Sequence, residues 1–99
     1  MRDYPSDHLL KWFSEYDVLE NGPCDLIHRI KENWEYGDMG YFSWDPRRRL
    51  LRLSTAGWSG NEDIICALQS NFLFWQYWIN SHVGGHYVFR IRKIEGVPE

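Results

Sequence analysis

Residues 55–69, TAGWSGNEDIICALQ, restrict the possible folds more than any other stretch, because a strand-like run ends there on glycines and a helix begins at once. Ser59 and Glu62 stand three apart, the spacing of a capping box. In that motif the serine hydroxyl accepts from the Glu62 amide while the carboxylate reaches back to the serine amide. A strand that feeds straight into an amphipathic helix calls for a layered architecture, with the helix covering one face of a sheet.

Periodicity extends this in both directions. Ser6 is a good N-cap for a helix to about residue 19, with Leu9, Leu10, Phe13 and Tyr16 on one face, and Glu20-Asn21-Gly22-Pro23 stops it. Pro23 suits the first turn of a second helix, whose apolar stripe is Leu26, Ile27, Ile30 and Trp34. After Tyr36-Gly37-Asp38 the period shortens. Residues 40–44 and 49–55 read as strands joined by a turn around Asp45-Pro46-Arg47-Arg48. A third helix is expected over residues 61–81, with Ile64, Leu68, Phe72, Trp75 and Ile79 as its stripe and Ile65, Leu73 and Trp78 widening it. Residues 86–93 alternate as a last strand, Tyr87, Phe89 and Ile91 opposite Val88, Arg90 and Arg92.

The expected fold class is α+β: one domain over residues 1–99, a helical hairpin (1–36) followed by a β-β-α-β unit (37–95). A crossover through one long helix returns the last strand parallel to the second. That strand therefore belongs beside the first, giving a three-stranded antiparallel sheet of order 2-1-3 packed on the long helix. The long helix is apolar nearly all round near residues 72–79, so its second flank needs cover from the N-terminal hairpin or another protein.

Ninety-nine residues, 43% apolar and 17% aromatic, suffice for one core and not two. No run of about 18 apolar residues suggests a membrane span, and the N-terminus lacks the apolar stretch of a secretory signal, so a cytoplasmic address is expected. Cys24 and Cys66 lie far apart outside any CxxC pattern and read as reduced thiols in or near the core. Charge is unevenly laid out. Residues 1–46 carry four basic against ten acidic side chains, and residues 47–99 carry seven against four. An acidic layer packed on a basic one, or a partner surface, accounts for such asymmetry.

No catalytic or metal signature stands out, and no cofactor is expected. His82 and His86 flank Val83-Gly84-Gly85, but the glycines break the helical geometry that would align two imidazoles on a metal, and no carboxylate lies between them. An enzyme built from them and the Trp58 turn requires these groups to converge in one cleft. Two binding surfaces remain. The turn Gly57-Trp58-Ser59 with Glu62 and Asp63 presents an aromatic ring and free amides at a helix start, although the two carboxylates already complement the helix dipole and compete with a bound anion. Alternatively, Arg52, Arg90 and Arg92 project from the sheet face away from the long helix, with Tyr41 beside them, as a surface for a nucleotide or single-stranded nucleic acid. The acidic hairpin covering that face would cancel this use.

The runs LSTAGWSGNEDIICALQ, FLFWQYW and GGHYVFRI, spanning about residues 50–92, resemble a family of small bacteriophage and prophage proteins. WSGNEDII with the later GGHY is the specific part. The resemblance implies a phage origin and a bacterial cytoplasm rather than a reaction. By analogy with small phage proteins that bind host machinery, a non-catalytic protein, monomeric or homodimeric, is expected to engage a host protein in host takeover or counter-defence.

Overall fold

A computed structural model describes residues 5–98 of the chain. Three helices come first: α1 (Asp7–Glu15), α2 (Val18–Asn21) and α3 (Cys24–Asn33). Ser6 caps α1 as expected, its hydroxyl accepting from the Leu9 amide at 3.1 Å. The helix ends earlier than residue 19. Asp17 Oδ1 accepts from the amides of both Leu19 and Glu20 at 3.0 Å, so the aspartate starts the short α2 of its own. Leu26, Ile27, Ile30 and Trp34 are all buried along α3 and beyond its end, as their spacing predicts.

A 3-10 turn (Gly37–Met39) leads to β1 (Phe42–Asp45) and β2 (Leu50–Ser54), an antiparallel hairpin. Asp45 Oδ1 accepts from the amides of Arg47 and Arg48 at 3.0 and 3.1 Å and so organises the turn from within. Helix α4 (Ser59–Ser70) begins one residue before the place a capping box demands. Trp58 occupies the N-cap position, its carbonyl accepting from the Glu62 amide at 3.0 Å, and Ser59 is the first helical residue, so the Ser59–Glu62 box does not form.

The largest departure from expectation follows. The helix expected over 61–81 stops at Asn71, and α5 (Phe72–Trp75) is a single turn before β3 (Trp78–His82), which pairs with β4 (His86–Arg90). Asn71 is buried and holds three groups: its amide nitrogen donates to the carbonyls of Phe13 and Tyr16, both at 2.8 Å, and its oxygen accepts from the Phe74 amide at 3.0 Å. One side chain thus satisfies carbonyls at the end of α1 while capping α5. With β3 inserted, β4 returns antiparallel to β2 and pairs with it directly. The sheet has four strands in the order β1-β2-β4-β3, every neighbouring pair antiparallel, in place of three in the order 2-1-3.

Side chains alternate across this sheet. Leu51, Leu53 and Phe89 point into one core with Phe13, Leu26 and Ile30 from the N-terminal helices and Ile64 and Leu68 from α4. The N-terminal helices therefore cover a flank of α4, although the apolar run on which that expectation rested lies outside the helix. The apolar run 72–79 serves another purpose than a helix stripe. Phe74 is buried and Trp75 packs edge-on to Phe89, ring centres 5.3 Å apart, while Phe72 and Ile79 are exposed at 89% and 44%. Both cysteines are exposed free thiols rather than core residues.

Candidate binding surfaces

The first surface is built around the turn at residues 55–58. The Trp58 amide donates to the Thr55 carbonyl at 2.9 Å, and Ala56 and Gly57 both have positive φ (55° and 71°). A left-handed pair of this kind is the backbone of a tight reversal, and glycine makes the second position inexpensive. Asn61, also buried, fastens the turn to its neighbour. Its oxygen accepts from the Glu35 amide at 2.9 Å, and its nitrogen donates to the Glu35 carbonyl at 3.0 Å and the Thr55 carbonyl at 3.3 Å. The Trp34 indole N–H donates to the Ser54 carbonyl at 3.1 Å, tying the same two segments together from below.

This clamp sets three rings side by side. Tyr36 takes a left-handed backbone (φ 62°), and its ring stands edge-on to Trp58 at 6.1 Å and to Tyr41 at 6.4 Å. Tyr36 and Tyr41 are exposed and Trp58 is half-buried, with Gly60 leaving room for its indole. Gly57, Ser59, Glu62 and Asp63 are exposed as well. Asp63, however, lines a separate groove of about 390 Å³ with Leu10, Lys11 and Cys66. The structure places Gly57, Trp58 and Ser59 on an accessible turn, and Tyr36, not foreseen from sequence, joins Trp58 to Tyr41.

The second surface is the sheet face turned away from the helices. Among the described residues no helix covers it: the residues facing the core are Leu51, Leu53 and Phe89, and the alternate positions Arg52 and Arg90 are exposed. The acidic hairpin packs on the other side and does not close over the arginines. A cavity of about 420 Å³ on this face is lined by Arg52, Arg90, Ser54, His82 and His86, over a floor that includes Val88. Arg52 pairs in register with Val88, Leu50 with Arg90 and Ser54 with His86, which makes Arg52 a diagonal neighbour of Arg90 and of His86.

Two residues expected on this face stand elsewhere. Arg92 lies beyond β4, where its guanidinium donates to the carbonyl and side-chain oxygens of Gln76 at 3.4 Å and sits 5.4 Å from the Tyr77 ring centre. Tyr41 belongs by its ring contact to the Tyr36–Trp58 cluster. His82 and His86, read from sequence as ordinary residues around a helix end, face each other across the β3–β4 hairpin. Their signal was the Gly84-Gly85 pair between two alternating runs, a hairpin turn signature rather than a helix stop.

Ser54 Oγ lies 2.6 Å from His86 Nδ1, but among the described residues no carboxylate orients the imidazole as a base. The cavity bearing both histidines is not lined by Trp58, so the groups an enzyme reading required do not share that cleft. Among the described residues no group of three or more histidines, cysteines or carboxylates is placed to hold a metal ion, and no helix is long and apolar enough to cross a membrane.

A third hollow, about 640 Å³, opens among α1, α2 and α3 and includes Lys11, Trp12, Glu15, Asp17 and Asp25. The Arg29 guanidinium already sits 4.6 Å over the Trp12 ring. At its wall the Tyr16 hydroxyl donates to the Gly22 carbonyl at 2.7 Å, and burial, followed by the charges of Asp25, Cys24 and Asp17, pushes its pKa up. No protein-family model, no curated protein and no solved structure matches the chain.

Proposed function

We propose that this chain is a non-catalytic binding protein of phage type that engages a host protein through the Trp58 turn. The observation that carries this reading is the fixed, accessible trio of Tyr36, Tyr41 and Trp58. Tyrosine and tryptophan dominate the energetics of protein interfaces because each offers a large contact area with few rotatable bonds. Here the Asn61 clamp holds the backbone beneath the rings, so little further order is lost on association. The exposed carboxylate of Glu62 on the next turn favours a partner with a basic rim.

The test is capture from a bacterial lysate on the immobilised chain, quantified by mass spectrometry, beside the Trp58→Ala and Tyr36→Ala chains. A specific protein is expected on the wild-type bait, reduced about tenfold or more on each variant, since loss of a central aromatic anchor costs about 2 kcal/mol or more. Thermal melts establish that the variants remain folded. Absence of any specifically retained protein, or equal retention by folded variants, would overturn the reading.

A further inference from the structure

We infer that the open face of the sheet is a site for a small phosphate-bearing ligand of mononucleotide size, independent of the Trp58 surface. Arg52 and Arg90 are exposed diagonal neighbours on β2 and β4, their Cα atoms about 7 Å apart by strand geometry. Neither has a carboxylate within ion-pair distance among the described residues. The carboxylate nearest in register is Asp45, opposite Leu50, and it is committed to the amides of Arg47 and Arg48 and lies 4.0 Å from the Arg48 side chain. Asp45 lines a small hollow with Arg52 but makes no ion pair with it; two adjacent guanidinium groups without ion pairs of their own repel one another, and a phosphate held between them, each presenting its planar fork to the oxygens, removes that repulsion.

The remainder of the cavity suits the rest of a nucleotide. Proceeding along β4 from Arg90, the floor is Val88, and the far wall is His86 with its cross-strand partner His82 and Ser54. Imidazole rings stack on nucleobases, and the hydroxyl and Asn80 supply hydrogen bonds to a base or sugar edge. The volume of about 420 Å³ lies within the range of small-ligand sites. A single strand of nucleic acid fits less well: two arginines form a phosphate clamp rather than a track, and the whole chain carries a net charge of −3.

Calorimetric titration in about 50 mM salt, with a nucleoside 5′-triphosphate, the 5′-monophosphate, the unphosphorylated nucleoside, inorganic phosphate and a single-stranded decanucleotide as probes, decides the matter. The phosphorylated nucleosides are expected to bind, the plain nucleoside about tenfold or more weakly, and Arg52→Gln and Arg90→Gln each to lose about tenfold. Arg92→Gln and Trp58→Ala should leave the affinity unchanged, the latter separating this site from the protein-binding surface. Thermal melts of the arginine variants confirm folding. Lack of binding by every phosphate probe at about 1 mM, or an equal loss with Arg92→Gln, overturns the site. Inorganic phosphate binding as tightly as the nucleotides, or a decanucleotide that binds where mononucleotides do not compete, overturns the ligand class.

Discussion

Replacing Asn71 tests the account of why the chain folds into four strands. In the Asn71→Ala chain the carbonyls of Phe13 and Tyr16 and the amide of Phe74 each lose a partner now 2.8 to 3.0 Å away. A net hydrogen bond is worth about 1 kcal/mol, but a buried group left unpaired costs about 1–3 kcal/mol. Water reaches the partly buried Tyr16 bond more easily than the other two, which puts the total near 3–5 kcal/mol. For a domain of this size that corresponds to a melting temperature lower by roughly 15–30 °C, a large share of a stability that is typically about 5–15 kcal/mol. Asn71→Asp separates the two jobs of the side chain. The carboxylate still caps α5, yet it cannot donate and faces two carbonyl oxygens, so it should be as damaging as alanine. Urea titration followed by tryptophan fluorescence measures both, with hydrogen exchange of the Phe74 amide as the local probe. An aspartate variant within about 1 kcal/mol of wild type would show that only the cap matters and that the bridge to α1 contributes nothing.

Two further outcomes follow from local geometry. Gly85→Ala should destabilise the fold more than Gly57→Ala, although both have positive φ (81° and 71°): a Cβ at Gly85 collides with Thr55 Oγ1, whereas one at Gly57 meets nothing within 4 Å. The Gly57 variant should lose only the backbone term of about 1–2 kcal/mol and the Gly85 variant clearly more, read from paired urea curves; equal losses would refute the contact. Tyr16 has a raised pKa in the folded chain, so its contribution is fully present below the ordinary tyrosine value of about 10 and is lost as pH rises through the folded value. Tyr16→Phe should cost about 1 kcal/mol at neutral pH and show a shallower alkaline loss of stability than wild type; parallel alkaline curves would contradict this.

Local structure was most legible in the residue order where one side chain acts on its immediate neighbours. Ser6, the α3 stripe ending in Trp34, the Asp45 turn and the alternation of 86–90 were all legible because their consequences fall within a few positions. The largest departure has its cause in distant contacts. Phe72 to Ile79 carries a helical apolar pattern, but Asn71 is drawn out of the helix by carbonyls more than fifty residues earlier, and local propensity cannot register that pull. The missing β3 then carried the wrong sheet order with it. The candidate surfaces divide in the same way. Trp58 and Gly57 were visible as a turn, while Tyr36 reaches them through the Asn61 clamp and the Trp34–Ser54 bond, and Arg92, in phase with Arg90 along the strand, is taken out of the face by Gln76.

Taken alone, the order of residues determined the α+β class, the start of α1, the first hairpin and the two exposed features, a glycine-flanked tryptophan and a set of strand arginines. Patterning and turn chemistry are local and survive without knowledge of the neighbours. The register of β4 on β2, the strand β3, the gathering of three rings at one turn and the uncovered state of Arg52 and Arg90 were decided only in three dimensions. Each depends on which buried polar groups of distant segments satisfy one another, and that pairing is settled when the core closes.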